Sequence, residues 1–173
     1  DIMADNVFKT IVPEKNSVLA IDVSRLNNDR IMIGTERGLF ISDDGGARWR
    51  DASGILRNKR VKCIAHNNGL IYAGADDGLY LTKDELYDWQ RIFAYTNASD
   101  IANVSEEATG IAEEEEAADP GINCIATKGP KIYMASARKI SNSDDVGKSW
   151  KDFSAMGLRG VINSILVSDS SDK

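Results

Sequence analysis

The sequence predicts an all-β fold, a β-propeller built of four-stranded antiparallel blades, and three observations carry that expectation. The string Ser42-Asp43-Asp44-Gly45-Gly46-Ala47-Arg48-Trp49 returns as Ser143-Asp144-Asp145-Val146-Gly147-Lys148-Ser149-Trp150, and in worn form as Thr82-Lys83-Asp84-Glu85-Leu86-Tyr87-Asp88-Trp89. Its spelling is Ser/Thr-x-Asp-x-Gly-x-x-Trp, and the tryptophans stand 40 and then 61 residues apart. A period of about 40 residues marks one supersecondary unit copied along the chain, the length of a propeller blade. The third observation is local. Each copy is flanked by short β-rich runs separated by Gly, Asp and Asn clusters, the pattern of strands joined by tight turns.

Taken in order, residues 7–12, Val7-Phe8-Lys9-Thr10-Ile11-Val12, stand where the last strand of a preceding blade belongs. The first complete blade, 17–54, alternates through Val18-Leu19-Ala20-Ile21-Asp22-Val23, then runs through residues 30–34, 38–42 and 48–52. The second, 60–94, repeats this at 60–65, 70–74, 78–82 and 88–93, and the third, 121–154, at 122–127, 131–135, 138–143 and 149–153. Residues 161–168 read as the first strand of a following blade. That makes about three complete blades and two partial ones. A closed ring takes about four to eight, so the chain is expected to be a fragment of a larger propeller. The remaining blades would come from the rest of a longer chain or from a second copy. The third blade diverges: Lys139 and Ser141 stand where the others have Gly38/Gly78 and Phe40/Tyr80, so its third strand is expected to be less buried or twisted aside.

The repeated string falls between third and fourth strands, where a turn needs glycine for positive φ. Asp44 and Asp145 are placed to accept backbone N–H bonds across that turn, and Trp49 and Trp150 to bury their rings between sheets. The expected structural set is therefore Ser42, Asp44, Gly46 and Trp49, then Thr82, Asp84 and Trp89, then Ser143, Asp145, Gly147 and Trp150. Leu86 occupies the glycine position of the second copy, so that turn must differ. As calcium ligands, Asp43/Asp44 and Asp144/Asp145 lack the further oxygens and the spacing of a binding loop, and no metal or other cofactor is expected.

Residues 95–120 are the segment the period does not explain. All eight acidic residues between Arg91 and Lys128 lie there, with no base among them; the rest of the chain then carries 19 acids against 21 bases, although the whole has a net charge of −6. The acidity belongs to an insertion and not to the body, which argues against a nucleic-acid partner on a strongly basic face. Residues 111–118 have helix-forming composition, and a solvated loop is the plainer reading of four consecutive glutamates. No apolar run reaches the roughly 18–20 residues of a membrane helix. Residues 1–6 lack the regions of a signal peptide and read as a mature end or a cut edge. Cys63 and Cys124 occupy one place in successive units, matched by Ala20 and Ser164, which points to a small packing residue more than to a disulfide. The lone His66 makes no zinc site with them.

Those strings, with Ile21-Asp22-Val23-Ser24 leading to Arg30-Ile31-Met32-Ile33-Gly34-Thr35 and Gly38-Leu39-Phe40, resemble the BNR or Asp-box repeats of β-propellers. That family spans sialidases and other glycoside hydrolases, sortilin-type receptors and the photosystem II assembly factor type. The resemblance covers nearly the whole chain apart from the acidic insertion. It implies that a functional site lies on the face opposite the Asp boxes, which here carries Arg37, Arg57, Lys59, Arg60, Arg138, Lys139 and Arg159. It also makes an extracytoplasmic location, periplasmic or secreted, the expected one.

Function is less determined than fold, since such scaffolds host many activities. The Phe/Tyr-Arg-Ile-Pro element of sialidases is absent; Gln90-Arg91-Ile92-Phe93 is the nearest string and stands in a fourth strand. The acids Glu36, Asp76 and Asp77 sit in turns between second and third strands, where solvated surface is the ordinary role. The leading expectation is a non-catalytic binding or assembly scaffold for a protein or peptide, with carbohydrate a further candidate ligand. The alternatives are part of a glycoside hydrolase whose catalytic residues lie mostly outside this chain, and the sensor domain of a larger receptor.

Overall fold

Short alternating runs closed by turn-forming residues fold into twelve strands in the computed structural model, which describes residues 16–24, 27–83, 88–95, 121–136, 139–153 and 161–168. The strands are β1 (Val18–Val23), β2 (Ile31–Thr35), β3 (Gly38–Ser42), β4 (Arg50–Asp51), β5 (Val61–Asn67), β6 (Leu70–Ala75), β7 (Gly78–Lys83), β8 (Gln90–Ala94), β9 (Ile122–Lys128), β10 (Lys131–Ser136), β11 (Lys139–Ser143) and β12 (Lys151–Phe153). They pair as three four-stranded antiparallel meanders, β1 to β4, β5 to β8 and β9 to β12. This is the all-β, four-stranded architecture that the repeat predicts. Among the described residues the only helical turn is the 3₁₀ segment Gly54–Leu56.

The sheets stack face to face. Met32, Leu39 and Ile41 of the first meet Ile71, Ala73, Tyr80 and Trp89 of the second, with Leu56 and Val61 closing the layer. Tyr72 and Leu79 on the other face of the second sheet meet Ile122, Ile132 and Met134 of the third. Each large apolar side chain fully buried in these layers stabilises the fold by about 1.5–3 kcal/mol. The first strands β1, β5 and β9 adjoin one another in sequence, so the sheets fan out from a common line with their fourth strands outermost.

That line is crowded. A Cβ on Gly34 would stand 2.5 Å from the carbonyl oxygen of Val61, and one on Gly74 would stand 2.9 Å from Cβ of Ile122. Glycine is therefore required where the first strand of the next sheet presses on β2 and β6. The first strands themselves slip register at the same place in every unit, between Val18 and Ala20, between Val61 and Cys63, and beside Cys124. Both cysteines are buried and unbridged. Burial pushes their thiols upward, and Cys63 Sγ donates to the Ile122 carbonyl at 3.5 Å. They act as small packing residues in crowded strands.

As expected, the start of β11 is less buried than its counterparts, with Lys139 exposed and Ile140 half-buried where Gly38, Leu39, Gly78 and Leu79 are buried, but the strand is not twisted aside. It keeps a five-residue register with β10, and Ser141, Asn142 and Ser143 are buried. The ladder depends on backbone groups that substitution leaves intact. Polar contacts replace the lost aromatic: Ser141 Oγ donates to Asp152 at 2.7 Å, and Lys139 pairs with the same carboxylate at 2.5 Å. Residues 161–168 lie beside β9, where Asn123 and Lys128 side chains donate to the Ile162 and Ser168 carbonyls. They form no ladder among the described residues. The expected strand at 7–12 and all of the insertion except Tyr95 lie outside those residues.

Candidate functional site

Antiparallel pairing gives the fan two distinct ends. Strands β1 and β3 run the same way, so β1–β2 and β3–β4 turns leave together; the Gly45 amide donates to the Asp29 carbonyl at 2.8 Å across them. The β2–β3 turns and the links between sheets leave at the opposite end, where Asn58 N–H bonds the Arg37 carbonyl at 3.1 Å and Tyr95 N–H the Asp77 carbonyl at 3.0 Å.

At the first end, the Ser-x-Asp-x-Gly-x-x-Trp turns form one hydrogen-bond pattern twice. Ser42 Oγ donates to Asp44 at 2.9 Å and accepts the Gly46 amide at 2.8 Å, while Asp44 accepts the Arg48 amide at 2.7 Å. Ser143 Oγ donates to Asp145 at 2.8 Å and accepts the Gly147 amide at 2.8 Å, while Asp145 accepts both amide and hydroxyl of Ser149. Gly46 and Gly147 have φ of 93° and 87°, which a side chain rarely adopts. Trp89 and Trp150 face the preceding sheet. Trp89 donates to the Ala52 carbonyl at 2.9 Å, and Trp150 donates to the Ile92 carbonyl at 3.3 Å and meets Phe93 edge-on. Trp49 packs on Ile33 and Phe40. Thr82 is buried, and Asp84 lies outside the described residues.

The first aspartate of each string has a separate task that spacing did not reveal. Asp43 lies between Arg30 at 2.6 Å and Arg50 at 3.4 Å, and Asp144 between Lys131 at 3.7 Å and Lys151 at 3.4 Å. The aligned positions of the second unit are Lys83, Leu70 and Gln90, so acid and both cations change as a set. The internal repeat carried this signal, legible only once the register was known. Among the described residues no three His, Cys, Asp or Glu side chains converge as metal ligands.

At the opposite end, the link from the first sheet to the second is rigid. Ser53 Oγ bridges the amide and carbonyl of Leu39, and Leu56 is fully buried beneath. The bond from Asn58 to Arg37 then brings Arg37, Arg57, Lys59 and Arg60 into one loop cluster. Arg57 pairs with Asp51 at 2.7 Å and Lys59 with Asp77 at 2.6 Å. Arg37 is exposed and makes no ion pair among the described residues. Lys139 stands apart on the third sheet with Asp152. Arg138 and Arg159 lie outside the described residues.

Asp77 organises a cluster that the sequence did not disclose. Besides Lys59, its carboxylate accepts from the Tyr80 hydroxyl at 2.9 and 2.8 Å and faces Arg91 at 3.7 Å. Burial raises its pKa, but Lys59 and Tyr80 outweigh this, leaving it below the usual carboxylate range. Tyr80 is shifted upward by burial and by Asp77, so it holds its proton, the reverse of an activated nucleophile. Lys59, in the link before β5, and Asp77, in the β6–β7 turn, are 18 positions apart and leave no mark on local spacing.

Three fanned four-stranded meanders are blades of a β-propeller, and solved propeller-type structures share their shape. No protein-family model matches the sequence, nor does any curated protein. YCF48 from Cyanidioschyzon merolae is similar with a TM-score of 0.56 at 16% identity, over 81% of this chain and 38% of that one; a YCF48 structure bound to D1 peptide gives 0.56 at 15%. The extracellular domain of a one-component system from B. thetaiotaomicron reaches 0.62 at 16%, over 92% of this chain and 19% of that one. A GH74 xyloglucanase from Xanthomonas campestris reaches 0.53 at 19%, over 78% and 21%. Such identities speak for the fold alone, and this chain spans less than half the length of each of these proteins. Among the described residues no helix is long and apolar enough to cross a membrane.

Proposed function

We propose that this chain is part of a non-catalytic propeller scaffold that holds a protein or peptide on the loop end opposite the Ser-x-Asp-x-Gly-x-x-Trp turns. Those turns, in this reading, are Asp boxes and serve the fold. The observation that carries the proposal is the Asn58–Arg37 backbone bond. It ties the turn that carries Arg37 to the link that carries Arg57, Lys59 and Arg60, on backbone anchored by Ser53 and Leu56, so that less loop ordering remains for a partner to impose. Carboxylates of an acidic peptide are the matching chemistry, with Arg37 the cation best placed to take one bidentately. The D1 peptide bound to YCF48, a protein of similar shape, supports peptide binding as the function. The extracellular domain among the similar structures supports an extracytoplasmic setting. Likeness to a xyloglucanase favours a second reading, a glycoside hydrolase with its carboxylate pair mostly outside this chain.

A fluorescein-labelled decapeptide of alternating Glu and Gly tests the proposal by anisotropy. Binding is expected to weaken with salt and to fall about tenfold in Arg37→Ala/Arg57→Ala, or about 1.4 kcal/mol. Equal affinity of the double variant contradicts the proposal. Hydrolysis of a chromogenic glucoside by a longer polypeptide that contains this chain favours the second reading.

A further inference from the structure

The link between the first two sheets holds one large apolar side chain out to solvent. Ile55 is 53% exposed, while its neighbour Leu56 is fully buried between the sheets. Single apolar residues on a surface are ordinary. Ile55 differs in the backbone that carries it and in the charges beside it. It sits in the 3₁₀ turn Gly54–Leu56, which is closed by the Leu56 amide on the Ser53 carbonyl at 2.7 Å and the Arg57 amide on the Gly54 carbonyl at 3.2 Å. Trp89, beside β8, braces this turn. Its Nε1 donates to the Ala52 carbonyl at 2.9 Å, and a Cβ on Gly54 would meet its Cδ1 at 3.2 Å. Isoleucine is also β-branched and stiff at χ1, so a partner that covers it has little left to order.

We propose that Ile55 is the apolar anchor of the peptide surface, and that the peptide held there carries a large apolar side chain flanked by carboxylates. This role rests on the peptide site proposed above and names the class of sequence that site selects. Arg57 stands two positions on from Ile55, and the Asn58 amide on the Arg37 carbonyl brings the Arg37 turn to the same link. Arg57 is 66% exposed, and its pair with Asp51 at 2.7 Å occupies part of a guanidinium that has five donors. Donors therefore remain for a second carboxylate. Exposed ion pairs alone hold a ligand weakly and are screened by salt. An apolar contact supplies what they lack, because it removes area from water and sets one register. An anchor ringed by polar contacts is the arrangement that dominates binding energy at interfaces. A peptide of glutamate and glycine would engage the cations and leave Ile55 wet.

Two fluorescein-labelled decapeptides separate the anchor from the cations: the alternating Glu and Gly chain, and the same chain with one central Gly replaced by Leu. By anisotropy the leucine peptide is expected to bind the wild type about tenfold tighter, as partial cover of two apolar side chains would give. That ratio should hold as sodium chloride is raised, although both affinities fall, since screening acts on the charges and not on apolar contact. Ile55→Ser should bring the ratio to about one with the affinity for the Glu and Gly peptide unchanged, and Ile55→Val should keep most of the gain. Equal affinity of the two peptides for the wild type, or a ratio that survives in Ile55→Ser, overturns the anchor and leaves the peptide site standing. Binding of neither peptide overturns the site and the anchor together. Methyl resonances of Ile55 in the wild type decide the matter even if Ile55→Ser fails to fold: they should shift on saturation with the leucine peptide well beyond their change with the other, and equal shifts contradict the proposal.

Discussion

Asp145 shows how a surface carboxylate can matter to a fold without being buried. The Ser149 hydroxyl and amide and the Ser143 hydroxyl all donate to it, holding its pKa well below the usual carboxylate range. Asp44 is lowered chiefly by the Arg48 amide, and Asp152 chiefly by Lys139. A group whose folded pKa is depressed adds stability above its unfolded value, about 3.9 for Asp, and that stability is lost as pH falls through the folded value. The molecule is therefore expected to lose stability progressively below about pH 4. Asp145→Asn should melt below the wild type near pH 7, and the gap should narrow toward pH 2; calorimetry across that range checks it, and a constant gap contradicts the account. Much of this was legible, because Ser, Asp and Gly at fixed offsets define a turn by local bonding alone. The companion role of Asp43 was not, since its two cations come from different strands.

At the scale of elements, β11 separates what backbone and side chains each contribute. Its ladder survived the loss of two apolar positions that β3 and β7 retain, so the strand opens to solvent at its start, as expected, without leaving the sheet. One cost is visible. Asn142 takes the place of Ile41 and Leu81 yet is buried, and its Oδ1 has no hydrogen-bond partner. An unmet buried acceptor costs about 1–3 kcal/mol. Asn142→Leu should therefore raise the denaturant midpoint at unchanged slope, by about 1–2 kcal/mol in unfolding free energy; a lower midpoint would place Asn142 in a polar contact worth more than its burial costs. The link 53–60 is the complementary case. Its sequence reads as loop, but Ser53 bonds Leu39 of β3, Asn58 bonds the Arg37 carbonyl in the β2–β3 turn, and Leu56 is buried between the first two sheets, contacts that periodicity does not disclose.

For the whole molecule, the repeat made the architecture legible, because one period fixes strand number, order and turn positions together. It could not disclose sites assembled from several units. The Asp77 cluster joins the link before one blade to that blade's second turn and fourth strand. The insertion 95–120 obeys no period, and apart from Tyr95 it lies outside the described residues. The central claim is that this propeller scaffold recognises its partner through the loop end opposite the repeated turns. Backbone amide shifts during titration with the acidic decapeptide test it most directly. The account predicts saturable, salt-sensitive shifts at Glu36, Arg37 and residues 57–60, with the turns at Gly45–Arg48 and Val146–Ser149 unmoved. A footprint centred on those turns, with Arg37 and its neighbours unchanged, would contradict it.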